Sequence, residues 1–346
     1  MKIFRFVLSN INNNERKKMK TNKKFIIIIA IILVIFIIVK YQISIKKEQK
    51  AVGEWKKYSS EPVLGNEETG TVFDPYVMKD KDGKYRMYVS WRNKGAIAVT
   101  TSNDGINWSD LKIVLERDTT TGWENIINRA TVIYKDGKYY MWYTGQANNI
   151  SKIGYAISDD GYSFIKIDQP VMIPENEYEK SSVMNPYVLY DENEQIFKMW
   201  YAAGETYEPD VIAYATSRDG INWDKFNENP ILKKSEDNFA MDNFKVGACE
   251  VHKIDNEYVM FYIGYTDLHT ARIFVAKSKD GITNWTRYAK EPIVKSTKGT
   301  FDSDACYKPT AIWDDKNNRW MLWYNGRNGE KEYIGLVTCN IYKFFV

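Results

Sequence analysis

Histidine, cysteine and proline are scarce in this chain, at 2, 3 and 9 of 346 residues. Three cysteines cannot build a disulfide framework, and two histidines give no basis for a histidine-based zinc centre. Neither sign of charge dominates: 48 Lys and Arg stand against 45 Asp and Glu, a formal net charge of +3. Much of the lysine excess lies at the N-terminus, so nothing points to nucleic acid. Long apolar runs are absent after the first 45 residues, which excludes a multi-span membrane protein. A hydrophobic share of 44% with 27% charged residues also excludes a disordered tail or a collagen-like fibre. The length suffices for a sizeable core, as one large domain or two.

Aromatic residues are abundant: 25 Tyr, 15 Phe and 11 Trp. That bias favours strands and carbohydrate-facing surfaces over helices. The single apolar run, Phe25 to Val39, extends to Ile45 across Lys40. At about 1.5 Å per residue the 25–45 segment covers a hydrocarbon core of roughly 30 Å, provided Lys40 snorkels. Eight Lys or Arg precede it against one acid, Glu15, and Met19 is an alternative start. The expectation is therefore a basic cytoplasmic tail over 1–24, a transmembrane signal anchor over 25–45, a linker over 46–51 and an extracytoplasmic domain over 52–346. A cleaved signal peptide is the alternative, but no small-x-small site follows Val39 directly.

The rest of the chain is repetitive. MYVSW (Met87–Trp91), MWYTG (Met141–Gly145), MWYAAG (Met199–Gly204), MFYIG (Met260–Gly264) and LWYNG (Leu322–Gly326) form one series. A second strand pattern follows each, at Ala96–Ser102, Lys152–Ser158, Val211–Ser217, Arg272–Ser278 and Tyr333–Cys339. Asp-Gly turns and an aromatic then follow four times, ending at Trp108, Phe164, Trp223 and Trp285. Units of four short strands without intervening amphipathic helices predict propeller blades rather than a parallel sheet. The fifth repeat stops at Cys339, and the missing piece stands at the front of the domain. There Trp55–Leu64 (WKKYSSEPVL) matches Trp223–Leu232 (WDKFNENPIL). The predicted fold is all-β, a five-bladed β-propeller closed by the N-terminal strand.

These repeats resemble the five-bladed β-propeller glycosidases: glycoside hydrolase family 43, the family 32-like invertases and levansucrases, and glycosidase-like propeller proteins. The resemblance covers about residues 52–346. It implies three carboxylates at the starts of inner strands, the first in an Asp-Pro motif. Phe73-Asp74-Pro75 matches that motif, which makes Asp74 the implied base or nucleophile. Arg129 stands where the resemblance implies an Asp, and Asn185-Pro186 brings no acid in the third repeat.

Strand alternation adds a reading of its own. Aligned inner strands place Asp74, Arg129, Asn185, Ala248 and Lys308 in one funnel layer, and Tyr76, Thr131, Tyr187, Glu250 and Thr310 in the next. The opposite face is small and apolar, as packing between blades requires. Glycoside hydrolysis needs one protonated and one ionised carboxyl. Asp74, near Arg129 and Lys308, is the expected ionised base or nucleophile, and Glu250 the expected acid, raised by burial. The alternative for Glu250 is a structural ion pair with Arg129 or Lys308. Arg129, Asn185, Lys308, Tyr76, Tyr187 and Arg92 are the expected substrate contacts, and the cations suit an anionic polysaccharide. Trp142, Trp200 and Trp323 read as core. Glu124, Asp242, Glu205, Asp267, Asp302 and Asp304 read as solvated loop acids. No cofactor is expected, with a structural calcium or sodium ion near His252 as the exception the resemblance allows. A Cys249–Cys306 disulfide is conceivable from their place on neighbouring blades. The expected function is a membrane-anchored glycoside hydrolase, with a non-hydrolytic glycan-binding accessory protein as the alternative.

Overall fold

The computed structural model describes residues 28–44, 46, 53–288 and 291–342. Met1–Lys50 and Ala51–Val346 form separate compact units. In the first, residues 28–44 are helical. No helix among the described residues is long and apolar enough to cross a membrane. The transmembrane span expected over 25–45 is therefore not found, and its ends, 25–27 and 45, lie outside the described residues.

The second unit is all-β, with the architecture of short antiparallel sheets that the repeats predict. A two-residue strand β1 (Lys56–Lys57) comes first. The first repeat forms β2 (Val72–Lys79), β3 (Tyr85–Trp91), β4 (Ala96–Ser102) and β5 (Lys112–Glu116). The second forms β6 (Ile126–Lys135), β7 (Lys138–Ala147), β8 (Ile150–Ser158) and β9 (Ile165–Lys166). The third forms β10 (Ser182–Asp191), β11 (Ile196–Gly204), β12 (Pro209–Ser217) and β13 (Asp224–Lys225). The fourth forms β14 (Lys245–Ile254), β15 (Glu257–Tyr265), β16 (Ala271–Ser278) and β17 (Thr286–Arg287). The last contributes β18 (Ala305–Asp314), β19 (Arg319–Asn328) and β20 (Lys331–Cys339), and β1 pairs antiparallel with β20 as the outer strand of that sheet. Among the described residues, one parallel pairing, Ser182 with Ser151, joins the second and third sheets.

The Asp-Gly turns are built by local chemistry. Ser217 Oγ donates to Asp219 Oδ1 and accepts from Gly220 N, both at 2.9 Å, while Asp219 Oδ1 also accepts from the Ile221 and Asn222 amides. The same bonds recur around Asp104, Asp160 and Asp280. Such amide donors stabilise the carboxylate and hold Asp160 down at about 2. Each turn is then latched by a neighbouring sheet: Trp142 Nε1 donates to Gly220 O at 2.7 Å, Trp200 to Gly281 O and Trp323 to Gly105 O at 2.8 Å. These tryptophans are core, as expected, at 0%, 1% and 0% exposure. Gly220 is required there, because its φ is +78° and a Cβ would lie 2.8 Å from the Trp142 ring.

A second recurring device corrects the reading of three of the loop acids, Glu124, Asp242 and Asp302, while Glu205, Asp267 and Asp304 are exposed as expected. Glu124, Glu179, Asp242 and Asp302 are buried and accept hydrogen bonds from Tyr143, Tyr201, Tyr262 and Tyr324 at 2.7–2.9 Å. Each also pairs with a cation at the outer edge of its sheet: Lys166, Lys225, Arg287 and, for Asp302, Lys57 on β1. They are structural groups, neither solvated nor free to react. The conceivable disulfide is also absent, since Cys249, Cys306 and Cys339 are buried free thiols and Cys306 faces Asp302 instead.

Candidate active site

Every innermost strand carries one bulge at the same place. Its register shifts between Phe73 and Tyr76, Asn128 and Thr131, Met184 and Tyr187, Gly247 and Cys249, and Tyr307 and Thr310. The residues inside the bulges, Asp74, Arg129, Asn185, Ala248 and Lys308, have φ of +50°, +58°, +51°, +30° and +36°. Left-handed backbone costs a non-glycine residue roughly 1–3 kcal/mol and re-aims its side chain. Neighbouring sheets hold these bulges in place. The Arg129 amide donates to Ser90 Oγ at 2.9 Å, the Asn185 amide to Thr144 Oγ1 at 3.0 Å, and the Asp74 amide to Asn325 Oδ1 at 3.3 Å.

A polar cavity of about 260 Å³ opens over three of them, Asp74, Arg129 and Asn185. Arg92, Arg327, Glu208 and Glu332 join its wall with Tyr207, Tyr265 and Tyr307. Arg129 Nε lies 3.4 Å from Asp74 Oδ2, an oxygen that is buried and makes no hydrogen bond. Asn185 Oδ1, Tyr307 OH and Arg327 Nε are likewise buried without partners. Buried polar groups left open at several kcal/mol each are what a hydroxyl-rich or anionic ligand would satisfy. A larger groove of about 690 Å³, lined by Lys198, Tyr214, Asp224 and Tyr258, contains none of the bulge residues. Two of its four lysines, Lys198 and Lys225, are already paired with acids.

Of the three remaining carboxyls of the cavity, Glu330 is exposed, and Glu208 and Glu332 differ in how they are held. Burial raises Glu208 above the ordinary carboxyl range, against the Tyr265 hydroxyl and the fields of Arg129, Arg327 and Lys245. Burial raises Glu332 as well, but both its oxygens are engaged, by Arg92 Nη2 at 2.6 Å and Asn325 Nδ2 at 2.7 Å. Glu332 thus anchors Arg92, whereas burial favours the protonated form of Glu208.

Of the residues expected from sequence, the cavity gathers Asp74, Arg129, Asn185 and Arg92. Glu250, Lys308, Tyr76 and Tyr187 do not line it. Glu250 is 3% exposed; its Oε1 accepts from the Ala311 amide at 2.9 Å and lies 2.6 Å from His252 Nε2. Tyr76 and Tyr187 are buried with their rings 6.5 Å apart, and Lys308 is buried as well. The physical reason lies one layer past the bulges. There the inner strands bond directly to one another, as the Val77 amide does to Thr310 Oγ1 at 3.1 Å, leaving no room for a sugar. His252 packs against Phe261 and Trp320. No cluster of three or more His, Cys, Asp or Glu side chains that could hold a metal ion occurs among the described residues.

Glu208, Glu332, Asn325, Tyr265 and Tyr307 went unrecognised in the sequence. Asn325 carried a signal, being the amide in a repeat position otherwise occupied by Ser90, Thr144, Ala202 and Ile263. Glu208 sits in the β11–β12 connection, whose length and sequence differ from repeat to repeat, and carried none.

Comparison with known proteins agrees with this architecture. The model of the glycosyl hydrolases family 32 N-terminal domain matches residues 36–128 and 98–246, together more than half of the chain. The chain belongs to the propeller glycosidase superfamily. A second model, described as beta-1,4-mannooligosaccharide phosphorylase, matches residues 180–326. A 1,2-beta-oligomannan phosphorylase of Thermoanaerobacter sp. (strain X514) is 32% identical over 220 residues, covering 63% of this chain and 65% of the relative. The chain thus spans just under two thirds of that relative's length. A solved glycoside hydrolase superposes with a TM-score of 0.70 at 19% identity, covering 86% of this chain and 95% of its own. A structure from work on mannoside phosphorylases and hydrolases of β-1,2 mannosidic linkages in Candida mannan superposes at 0.64 with 15% identity, covering 83% and 94%. At such identities the superpositions speak for the fold alone.

Proposed function

We propose that this protein is a carbohydrate-active enzyme that cleaves a glycosidic bond of a mannoside-type glycan, with inorganic phosphate as the acceptor. Its five sheets are read as the blades of one propeller, closed where β1 joins β20. The observation that carries the reaction is the set of cations in the cavity: three guanidinium groups, Arg92, Arg129 and Arg327, line it together with Asp74, and Arg129 Nε lies 3.4 Å from Asp74 Oδ2. Hydrolysis requires one carboxyl to activate water and a second to protonate the leaving group. Phosphorolysis requires only the second, because phosphate is already a nucleophile, together with cations that bind it. An arginine at 129, where a hydrolase would carry an acid, suits the latter, and the printed names of the phosphorylase relatives support it.

In this reading a phosphate oxygen attacks the anomeric carbon and the glycosidic C–O bond breaks. Glu208 gives its proton to the departing oxygen, and the product is a sugar 1-phosphate. Asp74 faces the anomeric carbon and stabilises its developing positive charge, while the arginines neutralise phosphate. Hydrolysis is the second reading, favoured by Asp74 Oδ2, which has no hydrogen-bond partner and can accept a proton from water.

The test is incubation of the protein with β-1,2-linked mannooligosaccharides with and without phosphate, following mannose 1-phosphate and mannose. Phosphate-dependent formation of the ester supports the first reading, free mannose in both conditions the second. Glycan binding without either product would identify an accessory protein.

Glu208→Gln is expected to lower kcat by about 10²–10⁴-fold on the natural linkage. The loss should shrink sharply on a nitrophenyl glycoside, whose leaving group needs no proton. Because burial raises Glu208, the donor form persists to higher pH than an ordinary carboxyl would allow, and kcat falls as pH rises through its titration. That alkaline limb should be missing from the pH profile of the Gln variant.

A further inference from the structure

The β11–β12 connection, residues 205–208, carries more than Glu208, and it is clamped from two sides. Lys245 Nζ, on β14, donates to Glu205 Oε2 at 2.8 Å and to Glu208 O at 3.0 Å, and pairs with Asp210 Oδ1 at 3.0 Å. From the second sheet, Gln146 Nε2 donates to Thr206 O at 3.0 Å, while Thr206 Oγ1 donates to Asn149 O. Between these clamps stands Tyr207, which lines the cavity and yet is 64% exposed. The other two tyrosines of the cavity have partners: Tyr265 and Tyr307 pack with ring centroids 6.4 Å apart, and the Arg327 guanidinium lies 5.5 Å over Tyr307. Tyr207 makes no ring or cation contact among the described residues, and its hydroxyl has one long bond, 3.4 Å to Asn149 Oδ1. A firmly held backbone thus keeps an aromatic face open to water beside Glu208, with apolar area left to cover.

Depth orders the cavity. Asp74 and Asn185 are buried at its floor, and the exposed Tyr207 stands at its rim. Its volume of about 260 Å³ falls below the roughly 300–1,000 Å³ of pockets that enclose a drug-sized ligand. An oligosaccharide is therefore not enclosed whole, and the part beyond the reacting sugar crosses the rim. Glu208 must come within about 3 Å of the glycosidic oxygen to protonate it. The sugar that departs on that oxygen then lies against the next side chain of the same wall, Tyr207.

We propose that the Tyr207 ring is the platform on which the leaving-side sugar stacks its apolar C–H face, so that this residue helps to set which acceptor the site takes. The proposal rests on Glu208 being the proton donor. One connection then supplies both the acid and the subsite of the sugar that the acid releases.

The test runs the reaction backwards in the full chain, with mannose 1-phosphate and mannose as reactants. The acceptor hydroxyl gives its proton to Glu208 as its oxygen bonds the anomeric carbon, the bond to phosphate breaks, and mannobiose and phosphate leave. Tyr207→Ala should raise the KM for mannose about three- to tenfold, while the KM for mannose 1-phosphate stays within about twofold. Tyr207→Phe and Tyr207→Trp keep the ring and should restore the acceptor KM. The exposure of the side chain leaves the fold intact in each variant. An acceptor KM unmoved in Tyr207→Ala, an equal rise of both KM values, or a Phe variant as weak as the Ala variant overturns the proposal. If the native protein forms no mannobiose, the proposed reaction fails, and binding decides the platform separately. In the Glu208→Gln background, calorimetry should show Tyr207→Ala weakening β-1,2-mannobiose about three- to tenfold and mannose far less. Equal weakening of the two sugars, or none, overturns the platform.

Discussion

Asp74→Asn is expected to reduce kcat by at least about 10³-fold while leaving glycan affinity within a few-fold of native. The substitution isolates charge from shape. Asn is one of the few residues that adopts left-handed backbone readily, so the bulge at φ +50° and its amide bond to Asn325 survive. What disappears is the negative charge at Oδ2, a buried carboxylate oxygen of the cavity wall with no hydrogen-bond partner. Charge stabilisation aimed at a transition state is worth several kcal/mol in a water-poor site, whereas ground-state binding draws on the arginines and tyrosines that remain. Steady-state kinetics beside calorimetric glycan binding separates the two quantities. Unchanged kcat in a folded variant would remove Asp74 from the chemistry, and a parallel loss of affinity would recast it as a binding residue. Asp74→Ala is a poorer probe, since alanine resists the left-handed conformation and its effect would mix strain with chemistry.

Lys57→Met should produce the largest loss of stability expected from a single surface-proximal change, about 3–5 kcal/mol, the usual cost of stranding a buried charge. Lys57 lies on β1, and its ammonium is the cation paired with the fully buried Asp302. Without it the carboxylate keeps only uncharged donors: Tyr324 at 2.7 Å, Thr300 at 2.6 Å, the Thr297 amide at 3.3 Å and Cys306 Sγ at 3.7 Å. Burial pushes Asp302 upward, but the bonds from Lys57, Thr300 and Tyr324 outweigh it and hold the group below the ordinary aspartate value. A depressed carboxyl contributes stability that is present above the ordinary value and lost as pH falls through the depressed one. Urea denaturation should therefore show the Lys57→Met penalty in full near neutrality and a much smaller difference in acid. Lys166→Met provides the comparison, because it breaks the equivalent Lys166–Glu124 pair at 3.0 Å inside one continuous sheet. Only Lys57 also ties the first strand of the domain to the last sheet. If both variants lost equal stability, the pairing of β1 with β20 would add nothing beyond one ion pair. A native-like Lys57→Met would mean that Asp302 is neutral or finds another cation.

The series MWYTG with its Asp-Gly turns and aromatics determined the strands, their order within each sheet, and the identity of the core tryptophans. That was readable because each unit solves the same local problem: alternate side chains, a serine–aspartate turn, and a ring to cap it. The match of Trp55–Leu64 to the fourth strand of other repeats likewise placed β1 beside the sheet of β18–β20. Aligning Asp74, Arg129, Asn185, Ala248 and Lys308 from sequence also marked the five bulges, without revealing that they were bulges.

Alternation could not carry the argument further, and the physical reason is the extra residue in each inner strand. A bulge interrupts the two-residue period, so Tyr76, Tyr187 and Glu250, which parity placed in the funnel, are buried in the layer where strands bond to one another. Lys308, at the same bulge position as Asp74 and Arg129, is absent from the cavity wall and buried with its ammonium unbonded. Tertiary structure alone brought Glu208 and Glu332 to the cavity, from connections and outer strands far apart in the chain, and it alone paired Lys57 with Asp302 across 245 residues. Local patterns specify strands and turns because neighbours in sequence make them. The charge of a cavity is set by groups from different sheets, and their approach is settled only when those sheets pack.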